Sequence, residues 1–130
     1  MNDELTTRIL TKAEVDAILK ALPAFLFRLW GNSVVTVLYG TRCNIHNDLQ
    51  HVPMGVGISW LARFLSESER QDIFVPGASD LFIRDEQERV EILFCHEADI
   101  HISGSDKELV ARVVGDDLFR GLMLASKDMP

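Results

Sequence analysis

The sequence is poor in cysteine and in basic residues, and it has no long apolar run. Its only cysteines are Cys43 and Cys95. Small secreted domains carry a denser disulfide framework, so reduced thiols are expected. No apolar stretch approaches the ~20 residues that a membrane-spanning helix needs. Residues Met1 to Thr6 hold neither a basic region nor an apolar one. No signal peptide is expected, and cytoplasmic residence follows as the default. Lysine and arginine number 13 against 20 aspartates and glutamates, a formal net charge of -7. Such a surface repels phosphate backbones and anionic lipid, which argues against nucleic-acid and membrane partners. It favours rapid capture of a basic protein, although the same charge also serves plain solubility.

Motifs for phosphate, dinucleotide or acyl chemistry are missing too. There is no G-x-G-x-x-G, no Walker lysine loop, no G-x-S-x-G and no H-E-x-x-H. Gly55-Val56-Gly57 reads as a flexible pair of glycines, not a phosphate cradle. No cofactor is expected and no catalytic residue is assigned.

What is present is ordinary for a globular chain: 130 residues, 47% hydrophobic and 25% charged. One domain over 1–130 is expected, with 1–10 open to fraying. Thr11 and Glu14 have capping-box spacing, and Val15, Ile18, Leu19 and Leu22 follow on one helical face. Pro23 predicts a kink or a new helix ending before Gly31. Val34–Tyr39 reads as a central strand, 40–57 as a long loop and 58–70 as a helix, with a strand as the alternative. Residues 72–75 read as a short strand stopped by Pro76-Gly77. Residues 81–84 and 89–95 read as a hairpin across Asp85-Glu86-Gln87-Glu88. Its second strand is expected to run on to Ile102 with a bend near His96 to Ala98. Ser105 and Glu108 have capping-box spacing for a helix to Val114, and Gly115 fits a left-handed cap. Residues 118–125 read as a last strand or short helix. The fold class is α+β: a mostly antiparallel sheet with about three helices packed on it.

Strand alternation supplies the candidate site. With 92–102 extended, Ile92, Phe94, His96, Ala98, Ile100 and Ile102 face the core, where His96 would bond to backbone. Cys95, Glu97, Asp99 and His101 then share the opposite face. The first expectation is a binding protein that neutralises a basic partner, in the manner of a toxin-immunity protein. Glu97, Asp99 and His101 lead its surface, with Asp85, Glu86, Glu88, Asp116 and Asp117 adding to it. The alternative is a small metal-binding protein or metal-dependent enzyme built from the 43–51 loop and the 95–101 strand. Cys43, His46, His51 and His101 are its candidate ligands. Direct pairing of Cys95 with His96 is not expected, since neighbours on a strand face opposite ways. A homodimer that protects an open sheet edge or face remains compatible with the sequence.

Overall fold

Thr11 opens the longest helix. Its hydroxyl accepts from the Glu14 N–H at 3.1 Å, and the Glu14 carboxylate accepts from the Thr11 N–H at 2.9 Å. The pair satisfies two backbone donors that a helix start leaves unpaired. In the computed structural model, which describes residues 3–40 and 52–123, this helix (α1) spans Lys12–Trp30. It runs unbroken through Pro23, against the expected break. Leu22 and Leu26, both fully buried, dock the same face on either side of the proline. That burial offsets the lost hydrogen bond. Thr11→Ala is expected to cost about 1 kcal/mol. It would appear as a lower urea midpoint at constant slope, and an unchanged midpoint would deny the cap any role.

Six strands follow or flank this helix: β1 (Asp3–Thr6), β2 (Val34–Tyr39), β3 (Met54–Gly57), β4 (Leu81–Arg84), β5 (Val90–Phe94) and β6 (Ile100–Gly104). They form one antiparallel sheet in the order β1-β6-β5-β4-β2-β3. Two more helices, α2 (Ile58–Arg70) and α3 (Lys107–Val114), complete an α+β fold. No helix among the described residues is long and apolar enough to cross a membrane.

The register separates the two faces of the sheet. Val37, Ile83, Ile92, Ile102 and Leu5 form one cross-strand row, and Tyr39, Leu81, Phe94 and Ile100 form the next. The buried residues of all three helices pack against these rows in one core. The alternate residues point the other way. One row is Leu38, Phe82, Leu93, His101 and Thr6, and the next is Thr36, Arg84, Glu91, Ser103 and Glu4. Leu38 is buried and Phe82 and Leu93 are half-buried, but all three lie outside the core cluster to which the helices contribute.

Several expectations are corrected. Residues 3–6, given no element by the sequence, form edge strand β1. Leu5 packs against the core, and Thr7 and Leu10 donate backbone hydrogen bonds to Ile100 and Ala98. Gly55-Val56-Gly57 is not flexible loop but part of β3, held by pairing with β2 and by the buried Val56. Residues 41–51 lie outside the described residues. The helical reading of 58–70 holds, because Ile58, Leu61 and Leu65 are buried on one face. Residues 72–75 form no strand; the N–H groups of Ile73 and Phe74 turn back to the Ser68 carbonyl at the end of α2. The cap of α3 is Asp106, one residue past Ser105, and it accepts from the Leu109 N–H at 3.1 Å. Gly115 is right-handed, at φ -80. Beyond α3 the chain makes a short 3-10 turn at Asp117–Phe119, where Phe119 meets Phe25 edge-on, and then a single bridge from Met123 to Thr7.

Candidate functional site

The decisive correction concerns residues 95–99. They do not continue a strand but reverse it. The Cys95 N–H donates to the Asp99 carbonyl at 2.9 Å, and the Ala98 N–H donates to the Cys95 carbonyl at 3.0 Å. β6 therefore folds back antiparallel to β5. The reversal places Ala98 at φ 66, a left-handed conformation that disfavours a Cβ. The Ala98 carbonyl, bonded by the Leu10 N–H at 2.8 Å, helps hold it there. Strain of this kind persists where surroundings over-determine the backbone, and it gathers at functional sites.

The turn collects side chains that a straight strand would have kept apart. Asp80, just before β4, is 6% exposed. Its Oδ1 accepts from the His96 backbone N–H at 2.8 Å and lies 2.8 Å from His96 Nδ1. His96 is thus not a core histidine bonded to backbone; it is half-buried and paired with a carboxylate. Cys95 Sγ lies 3.9 Å from the same Nδ1, so the neighbours do meet. On the far side of Cys95, His101 Nε2 is 3.2 Å from Asp99 Oδ2. His101 Nδ1 faces Thr6 Oγ1 at 3.3 Å and Glu4 Oε1 at 3.5 Å. Asp99 Oδ1 is buried and has no hydrogen-bond partner among the described residues. Two donor triads share the cysteine: Asp80, Cys95 and His96, and Cys95, Asp99 and His101. Within each, the donor atoms lie within 4.8 Å of one another.

The arrangement disfavours a cysteine nucleophile. Burial, reinforced by the Asp99 and Asp80 carboxylates and opposed by the Glu97 backbone N–H, pushes the Cys95 thiol up to about 11. The thiol is protonated at neutral pH, and the thiolate is the reactive form. Cys95 and Asp80 also address the same ring nitrogen of His96, whereas a triad uses both.

The other expected surface residues separate. Glu97 is exposed on the turn. Asp85, Glu86 and Glu88 sit at the opposite end of β5, about 17 Å away along a five-residue strand. Asp85 is not a surface group; it is 3% exposed and accepts from the Arg89 and Val90 N–H groups and from Arg89 Nε. Glu86 is exposed, and Glu88 pairs with Arg84 at 3.4 Å. Asp116 caps the 3-10 turn and meets Arg28 of α1, while Asp117 pairs with Arg120. Both therefore belong to the helical side. The metal candidates Cys43, His46 and His51 lie outside the described residues; His101 lies within the cluster. Sequence reading missed Asp80, Glu4 and Glu91. The register of an 81–84/90–94 hairpin would have found Glu91 opposite Arg84, but nothing local marks Asp80 or Glu4.

A separate concavity of about 630 Å³ lies between β3 and α2. Arg63 stacks over Trp60 there, 5.2 Å from the ring centroid, and Glu67 is engaged by Arg70 and Gln71. No family model, no curated protein and no solved structure matches this chain.

Proposed function

We propose that the chain is a binding protein whose outer sheet face captures and neutralises a basic protein, as a toxin-immunity protein does. The observation that carries this reading is the composition of that face. Phe82 and Leu93, both half-buried, make its apolar centre beside the buried Leu38. Glu4 and Glu91 stand in the outer rows, Asp99 meets His101 of that face, and the one arginine in the two rows, Arg84, is already paired with Glu91 at 2.7 Å and with Glu88. An apolar centre with a charged rim is the ordinary anatomy of a protein interface. A rim of one sign steers an opposite partner and quickens encounter. Acidic side chains suit partners that are basic because they themselves bind nucleic acid.

The test is affinity capture from the native host at low salt, followed by association kinetics with the captured protein. A basic partner in near-stoichiometric amount is expected. The double variant Glu4→Lys/Glu97→Lys, both sites being exposed, should slow its association about tenfold at low salt. That difference should shrink as salt screens the charges. Leu93→Arg should instead speed dissociation. A partner whose association ignores the charge reversal, or one that is itself acidic, would count against this reading.

A further inference from the structure

The two donor triads meet at Cys95, and together they bring a thiol, two imidazoles and two carboxylates to one end of the outer face. Three separate stretches supply them: Asp80 before β4, Cys95, His96 and Asp99 from the turn, and His101 from β6. Cysteine and histidine together select a borderline-soft ion, and carboxylate completes the usual ligand set for zinc. We propose that Cys95, Asp99 and His101 bind a zinc ion, with the fourth position filled from the Asp80–His96 pair.

Tetrahedral zinc, with bonds of ~2.0–2.3 Å, sets its donors roughly 3.3–3.8 Å apart. The Cys95, Asp99 and His101 donors, already within 4.8 Å of one another, need only small side-chain rotations to close on an ion, and the Asp80 and His96 donors lie within the same distance of Cys95. Asp99 Oδ1 gives an independent indication. A buried carboxylate oxygen without a hydrogen-bond partner among the described residues calls for an explanation, and an ion between Asp99 and Cys95, whose thiol lies against that carboxylate, supplies one. The surroundings of His101 give another. A metal-bound histidine almost always donates its second ring N–H to a carboxylate or hydroxyl, which fixes the tautomer. His101 has Glu4 and Thr6 at Nδ1, leaving Nε2 to face Asp99. As the sulfur–zinc bond forms, the thiol proton leaves to solvent. With His96 in the fourth position, a thiolate, one carboxylate and two neutral imidazoles balance the ion's two positive charges. This inference stands without a protein partner, so it and the capture reading can fail separately.

The test uses the full chain, stripped by a chelator under reducing conditions and titrated with Co²⁺ and then Zn²⁺. One Co²⁺ per chain is expected, with the ligand-field bands of a tetrahedral site, a thiolate charge-transfer band, and displacement by Zn²⁺. Cys95→Ser should remove the charge-transfer band. His101→Ala should weaken zinc by about a hundredfold or more, and Glu4→Gln by about tenfold with the bands kept. Glu4 is exposed, so that variant reports on positioning without a risk to folding, and far-UV circular dichroism checks the other two. The triple variant Cys43→Ser/His46→Ala/His51→Ala should bind as the parent does. The proposal is overturned if the chain takes up neither ion, if Cys95→Ser and His101→Ala bind as the parent does, or if the triple variant loses the metal.

Discussion

Gly104→Ala is expected to destabilise the fold by about 3–5 kcal/mol, a large part of the total stability of a domain this size. The cause is space, not backbone conformation. Gly104 lies in β6 between Val90 of β5 and Asp3 of β1. A Cβ there would stand 2.1 Å from the Arg89 carbonyl oxygen and 2.9 Å from the Val90 Cα. Both are backbone atoms in a paired sheet, so no side-chain rotation relieves the clash. The Arg89 carbonyl also accepts from the N–H groups of Ser105 and Asp106, at 3.1 and 3.4 Å. Those two residues lead into α3, and Asp106 caps it. Displacing one carbonyl therefore loosens β5, β6 and the start of α3 together. At roughly 4 °C per kcal/mol, the melting temperature should fall by about 12–20 °C. Gly55→Ala is the control, because a Cβ there meets nothing closer than Val34 Cγ1 at 3.5 Å. If the two variants melt within about 2 °C of each other, close packing of β6 on β5 is not what requires a glycine.

Local chemistry made the helices and the first hairpin readable. Thr11 and Glu14 announced α1, while the spacing over 58–70 fitted a helix and a strand alike and the polar tail Ser66 to Arg70 favoured the helix. The turn showed as the polar break Asp85-Glu86-Gln87-Glu88 between two apolar runs, and β5 starts one residue later than expected, at Val90. The second hairpin gave no such notice. Its turn, Cys95-His96-Glu97-Ala98-Asp99, holds no glycine or proline, and Ala98 takes the left-handed position where a glycine usually stands. Without that signal, alternation extended the strand to Ile102. Cys95, Asp99 and His101 still ended on one side, because strand parity survives on each arm of the hairpin. His96 did not, because it lies inside the turn. Edge strand β1 was hidden for another reason. Its partner is more than ninety residues away, and Asp3-Glu4-Leu5-Thr6 offers a single core-facing apolar residue, Leu5. The cluster depends on both non-local facts, since Glu4 and Thr6 reach His101 only through β1.

Asp85→Ala is expected to cost about 2–4 kcal/mol, although a carboxylate in a polar turn looks expendable. The side chain is 3% exposed and its oxygens receive two backbone donors and the Arg89 guanidinium. Alanine would leave the Val90 N–H, which lies in a buried setting, and the Arg89 N–H without that acceptor. Burial alone would raise the Asp85 carboxyl, but Arg89 and the two N–H groups outweigh it and hold it below its ordinary 3.8. A carboxylate held below its unfolded value stabilises the fold above that value. The contribution fades as the pH falls through the lower, folded one. Asp85→Asn keeps an acceptor oxygen but loses the charge. The stability gap between Asp85→Asn and the parent should thus be level from neutral pH down to about 5 and narrow below 3.8. Urea denaturation at several pH values measures it. A gap that persists undiminished in acid would mean that the charge contributes nothing. If Asp85→Ala instead folds as stably as the parent and weakens capture of the basic protein, Asp85 belongs to the binding surface and not to the turn. The buried geometry favours the turn, and at that end of the sheet Glu86 and Glu88 are exposed, Glu88 paired with Arg84.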